Sequence, residues 1–121
     1  MAAVTIIVEF ETLDGKASEF ERIMLDHARR TLNEEPGCER FDVIRPIDEA
    51  GLPKKNFLIV NELYSGPDAV IAHRANPRMA PLGETIAPLL KSRRLIEAVS
   101  VVPNVPEEGK RPEDLNAAND D

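Results

Sequence analysis

Cys38 to Tyr64 reads CERFDVI, then RPIDEAGLPKK, then NFLIVNELY, and this stretch decides the fold. In the first run Phe41 and Val43 fall on one side, with Arg40, Asp42 and Ile44 on the other. That alternation is the period of two that a strand imposes. In the last run Leu58, Val60, Glu62 and Tyr64 share a face opposite Phe57, Ile59, Asn61 and Leu63. Both faces are partly apolar, so both are expected to be covered. Between the runs, Pro46, Gly51 and Pro53 mark a surface loop. The pair is a hairpin at the centre of the chain.

Working outward, Val4 to Glu11 alternates in the same way, with Ile6, Val8 and Phe10 on one face. Leu13-Asp14-Gly15-Lys16 supplies turn chemistry, and Ser18 or Asp14 is placed to cap a helix. In that helix Phe20, Ile23, Met24, His27, Ala28 and Thr31 recur at three and four, so one face is built to be buried. Pro36-Gly37 ends it. On the other side of the hairpin, Ser65-Gly66-Pro67-Asp68 starts a short helix through Ala75, with Ser65 or Asp68 expected near the cap and Pro67 tolerated in the first turn, and Pro77 breaks it. A further helical stretch is predicted from about Arg78 to Lys91, interrupted by Pro81 and Pro88, and a last strand from Leu95 to Val102. The order β-α-β-β-α-α-β is the split-βαβ, ferredoxin-like α+β arrangement, an antiparallel sheet with its helices on one face. Ile, Val and Phe alternate on both sides of the strands, so the open face is expected to pair with a second subunit as a homodimer.

Composition bounds the rest. A chain of 121 residues argues for one domain, and a single cysteine, Cys38, cannot supply a disulfide framework. No apolar run is long enough to span a membrane, and the start lacks a signal peptide's basic region, so a cytoplasmic protein without a membrane partner is expected. The net charge of −7 argues against nucleic acid as a partner. After Pro103 stand six acids and two bases, placing −4 of the −7 there. With Pro103, Pro106 and Pro112, residues 103–121 read as a disordered acidic tail behind a domain spanning 1–102.

Two segments carry a resemblance: HARRTLNEEPGCERFDVI, from His27 to Ile44, and NELYSGPDAVIAHRANP, from Asn61 to Pro77. Their E-P-G-C-x-x-F-x-V and E-x-Y-x(8)-H blocks resemble the antibiotic biosynthesis monooxygenase superfamily. These are dimeric α/β-barrel proteins that include cofactor-free quinol monooxygenases and autoinducer phosphate isomerases. The resemblance implies two subunits packed sheet to sheet, each with a pocket between sheet and helices for a small-molecule substrate, and no metal or flavin. It carries over onto His27, Phe41, Glu62, Tyr64 and His73, with Phe41 as a substrate contact. Met79 and Ala80 stand where the family often has an aromatic. The absence of Trp favours the quinol-type or isomerase branch over the polyketide-oxidising one.

The same residues stand out on physical grounds. A carboxylate at Glu62, among Leu58, Val60 and Tyr64 on one strand face, must find a partner or protonate. Tyr64 points the same way, and its hydroxyl could orient a substrate oxygen. His27 lies on an apolar helical stripe and His73 near a helix end, and they are the two histidines of the chain. With both helices on one sheet face, the imidazoles and Glu62 are expected to meet at one cavity and supply acid and base near neutral pH. There is no H-x-x-x-H or E-x-x-H spacing, so no metal is expected, and no glycine-rich phosphate loop or G-x-S-x-G. Cys38 reads as a small core filler, and Lys91, Arg93 and Arg94 as a solvated helix end. The readings left open are a cofactor-independent oxygenase of a quinol-like or enolisable carbonyl substrate, an isomerase moving a proton beside a carbonyl, and a non-catalytic small-ligand-binding dimer. A cavity holding Glu62 and His73 together favours the enzymes; one filled by Leu and Met favours the last.

Overall fold

The computed structural model describes residues 2–101. The chain runs β1 (Val4–Thr12), α1 (Ala17–Glu34), β2 (Cys38–Ile44), β3 (Phe57–Tyr64), α2 (Pro67–Arg74), α3 (Met79–Ile86) and β4 (Leu90–Ala98), with a short 3-10 turn, Ala87–Leu89, before the last strand. The strands form one antiparallel sheet in the order β2-β3-β1-β4. The fold is therefore the ferredoxin-like α+β arrangement expected, with a helical crossover on each side of the central hairpin. The acidic segment 103–121 lies outside the described residues.

The core is the layer between sheet and helices. Val4, Ile6, Val8 and Phe10 of β1 face it with Leu58 and Val60 of β3, and Phe20, Met24 and Ala28 of α1 close it from above. Phe10 meets Phe20 edge to face at 4.8 Å between ring centres. The valines of β1, β2 and β3 all lie on this side, so the open face carries less apolar residue than the sequence suggests. Its apolar members are Ile7, Ile44, Phe57, Ile59, Leu63 and Ile96, set among Glu9, Arg40, Asp42 and Arg94.

Three local readings are corrected. Neither Ser18 nor Asp14 caps α1: the cap position is Lys16, without a side-chain bond, and Asp14 accepts from Asn56 Nδ2 at 2.6 Å instead. Gly15, at φ 80°, turns the chain so that Asp14 faces the hairpin. Nor does Ser65 or Asp68 cap α2, where the cap is Gly66 and Pro67 opens the first turn. Finally, the last helix stops at Ile86 and β4 begins at Leu90, five residues before the predicted Leu95. Pro81 sits in the first turn of α3, where an amide has no partner inside the helix, but Pro88 would remove a bond in the helix interior. Lys91, Arg93 and Arg94 therefore belong to a strand. On the open face Lys91 and Arg94 meet Glu11 and Glu9 of β1 at 3.5 and 3.7 Å.

Gly37 sets how closely the start of β2 approaches α2. A Cβ there would lie 2.5 Å from the Cβ of Ala69, and the Gly37 carbonyl accepts from Ser65 N at 2.9 Å. Neither neighbour is the free end of a flexible side chain, so Gly37→Ala must push α2 away. We expect a loss of about 1–3 kcal/mol, read from urea unfolding midpoints; an unchanged midpoint would show that α2 is not pinned here.

Candidate active site

Three elements bring charged and aromatic groups beneath the helices. The inward face of β3 carries Glu62 and Tyr64, α1 presents His27 from its buried stripe, and α2 presents His73 from its last turn. All four are buried. Tyr64 Oη donates to Glu62 Oε1 at 2.5 Å. His73 Nε2 stands 3.9 Å from the same oxygen, and the rings of His27 and His73 are 5.5 Å apart.

The residue that organises His73 comes from the turn after α1. The Glu35 carboxylate lies 2.9 and 3.1 Å from His73 Nδ1 and accepts from Asn76 Nδ2 at 2.8 Å. A carboxylate only accepts, so His73 carries its proton on Nδ1 and leaves the Nε2 lone pair free. Arg78, just before α3, stands 3.6 Å from Glu35, pairs with Glu34 at 2.9 Å, and donates from Nη1 to His27 Nδ1 at 3.1 Å. That bond fixes the other tautomer on His27, with the hydrogen on Nε2. The two imidazoles are thus set in opposite senses, one with a free lone pair and one with a free N–H.

The electrostatics follow from burial. Loss of water pushes Glu62 up to about 7; the Tyr64 bond opposes this and the charge of Glu35 adds to it. Burial, with the neighbouring His73 and Arg78, holds His27 down to about 4, so it is neutral near pH 7. Tyr64 is pushed well above the usual phenol range, first by burial and then by Glu62. Cys38 is buried, its thiol raised by burial, and it donates to Arg40 O at 3.4 Å, as a core filler would.

A cavity of about 180 Å³ opens between sheet and helices. His27, Glu62 and His73 line it, with an apolar wall that includes Ile6, Val8, Phe10, Met24 and Ile86, and with Arg74, Arg93 and Leu95 toward β4. Tyr64 and Phe41 are not on its wall. Tyr64 reaches it only through Glu62, and Phe41 packs edge-on against His27 at 5.4 Å. A larger groove of about 410 Å³ beside the start of α1 carries several cations but no histidine. Glu35, Asn76 and Arg78 were not singled out from sequence, although Glu35 lies in the E-P-G block that carries the resemblance. Among the described residues no cluster of three or more His, Cys, Asp or Glu is arranged to hold a metal ion.

A ferredoxin-like sheet with a buried acid-base cluster under its helices defines the class of small α+β pocket proteins. The chain belongs to the antibiotic biosynthesis monooxygenase family, whose model matches residues 3–80. Its fold is similar to that of a candidate antibiotic biosynthesis monooxygenase from Caulobacter crescentus CB15, at 22% identity and a TM-score of 0.73 over 84% of this chain and 92% of that one. It is also similar to a variant of SnoaB, a cofactor-independent oxygenase from Streptomyces nogalater, at 19% identity and a TM-score of 0.71 over 86% and 98%. A third similar structure is Rv0793 from Mycobacterium tuberculosis, at 18% identity and a TM-score of 0.71 over 85% and 99%. No curated protein matches the chain at a significant level. Among the described residues no helix is long and apolar enough to cross a membrane.

Proposed function

We propose that the chain is a cofactor-independent, monooxygenase-type oxidoreductase acting on a quinol-like or enolisable carbonyl substrate in the cavity under α1 and α2. The observation that carries this reading is His73, buried, held at Nδ1 by Glu35 and presenting a free Nε2 to the cavity beside Glu62. Dioxygen has a triplet ground state and reacts slowly with neutral organic molecules, so without metal or flavin the substrate must first become an electron-rich anion. His73 Nε2 takes the proton, and the Glu35 carboxylate stabilises the imidazolium that forms. The Nε2–H of neutral His27 hydrogen-bonds the substrate anion. Glu62 titrates near neutrality and takes the proton onward, its charge shared with the Tyr64 hydroxyl. For hydroquinone the balance is one quinol and one dioxygen giving one hydroxyquinone and one water: the ring gives up four electrons, two to the oxygen atom it gains and two, with two protons, to the oxygen atom that leaves as water. Membership of the family and likeness to an oxygenase fold support the oxygen chemistry; the apolar cavity supports a small-molecule substrate.

The same residues would serve an isomerase, since a proton moved beside a carbonyl passes through the same anion. Oxygen uptake by metal-stripped protein across a panel of quinols and enolisable ketones decides between them. Consumption of oxygen supports the oxygenase. No consumption, with exchange of a ketone α-proton for deuterium, overturns it in favour of the isomerase, and neither activity leaves a ligand-binding protein. We further propose a homodimer in a cytoplasmic setting, formed through the open sheet face that exposes Ile44 and Phe57. Sedimentation at micromolar concentration should give twice the 13.4 kDa chain mass, and a purely monomeric species overturns the dimer.

A further inference from the structure

The cavity has two chemically different ends. The acid-base groups stand at one. At the other, the helix-facing side of β4 presents Arg93, Leu95 and Glu97, opposite Phe10, Val8 and Ile6 of β1 in turn. Glu97 is answered by Arg74 at 2.5 Å, and the two other cations of the strand, Lys91 and Arg94, are answered by Glu11 and Glu9. Arg93 alternates to the cavity side, where its neighbour across the strands is Phe10. Among the described residues no carboxylate pairs with it. The cavity wall therefore ends in a guanidinium with its forked donors unmatched, a group suited to bidentate recognition of an oxyanion.

The spacing then limits what can bridge the two ends. Glu62 stands opposite Ile6 on one side of β1 and Arg93 opposite Phe10 on the other, four residues along β1 and two strand spacings across it, so their backbones are about 16 Å apart at ~3.3 Å per residue and ~4.8 Å per strand. Arg93, exposed where it lines one end, and a buried glutamate with a histidine at the other leave room for one ring between them. The volume agrees: an apolar cavity of ~150 Å³ holds a benzene, and this one measures about 180 Å³.

We propose that the substrate is a single hydroxylated or enolisable ring bearing an oxyanion, a carboxylate or a phosphate, which Arg93 holds while the opposite edge of the ring meets His73 and Glu62. This rests on the reading of the cavity as the substrate site and narrows its substrate class. Three probes of matched ring size test it by calorimetry on the full chain: 2,5-dihydroxybenzoate, its neutral carboxamide, and 4-hydroxyphenyl phosphate. Both anions should bind the wild type about tenfold or more tighter than the carboxamide, and the tighter of the two identifies which oxyanion the site prefers. Arg93→Gln should remove the preference, weakening the two anions about tenfold or more relative to the carboxamide, and Arg93→Lys should restore part of it. The side-chain resonances of His73 should move on binding of all three.

Equal affinity for the acids and the amide overturns the proposal, as does a preference that survives Arg93→Gln. Binding that leaves His73 unmoved places the ligand elsewhere and overturns it too. Oxygen uptake is read separately. Arg93-dependent selectivity without oxygen uptake or proton exchange upholds the binding site and overturns the catalytic reading.

Discussion

His73→Ala lowers turnover about 10²–10⁴-fold, the usual contribution of a positioned base, while the protein stays folded. The fold survives because Glu35 keeps its bond to Asn76 and its proximity to Arg78 when the imidazole is gone, so no orphaned charge is left under α2. Initial rates of oxygen uptake with a reactive quinol give the measurement, and circular dichroism checks the fold. Glu35→Gln falls between wild type and His73→Ala, because an amide oxygen can still accept from Nδ1 but no longer carries charge to stabilise the imidazolium. Tyr64→Phe costs less, about tenfold, since its hydroxyl acts through Glu62. A His73→Ala variant that retains more than a tenth of wild-type turnover removes His73 from the role of base.

The second large effect is on the pH dependence of stability. Glu62 is held up to about 7 when folded against an ordinary value of 4.5. Its contribution is fully present below about pH 4.5 and is lost as pH rises through about 7. His27 runs the other way, held down to about 4 against 6.5, so its contribution is present above pH 6.5 and lost as pH falls through about 4. Between about pH 4.5 and 6.5 the two slopes oppose each other and largely offset in the wild type. Each single variant unmasks the other. Glu62→Gln keeps an acceptor for Tyr64 but cannot ionise, so relative to wild type it gains stability from pH 5 to pH 8, by about 2–3 kcal/mol. His27→Gln gains instead toward low pH. Thermal unfolding across that range reads both, and a difference for Glu62→Gln that does not change with pH would show that Glu62 is solvated.

The central hairpin was legible because strands alternate and these do so cleanly: Leu58, Val60, Glu62 and Tyr64 all face the helices as their spacing requires. The start of β4 was not, because Lys91, Ser92, Arg93 and Arg94 carry no apolar period and only the backbone cost of Pro88 separates helix from strand there. His27, Glu62 and His73 were legible as polar residues on faces that must be buried. Glu35, Asn76 and Arg78 were not, because each lies in a turn where no periodicity applies. Their convergence depends on the close approach that Gly37 permits between the start of β2 and α2. Tyr64 was placed at the cavity from its face and Phe41 from the family resemblance, and neither says which of two neighbours lies in front.

β4 has a consequence for how copies of the protein coexist at high concentration. It is the outermost strand beside β1, and its far edge offers a row of backbone donors and acceptors to any extended chain that meets it. Within its nine residues stand Lys91, Arg93, Arg94 and Glu97. A second β4 added along that edge would bring like charges together and strip them of water, so strand-by-strand growth into fibrils is disfavoured at its first step. Replacing Lys91 and Arg94 by threonine would leave the fold intact and raise the β-propensity of this edge, and thioflavin-positive aggregation on mild heating would follow.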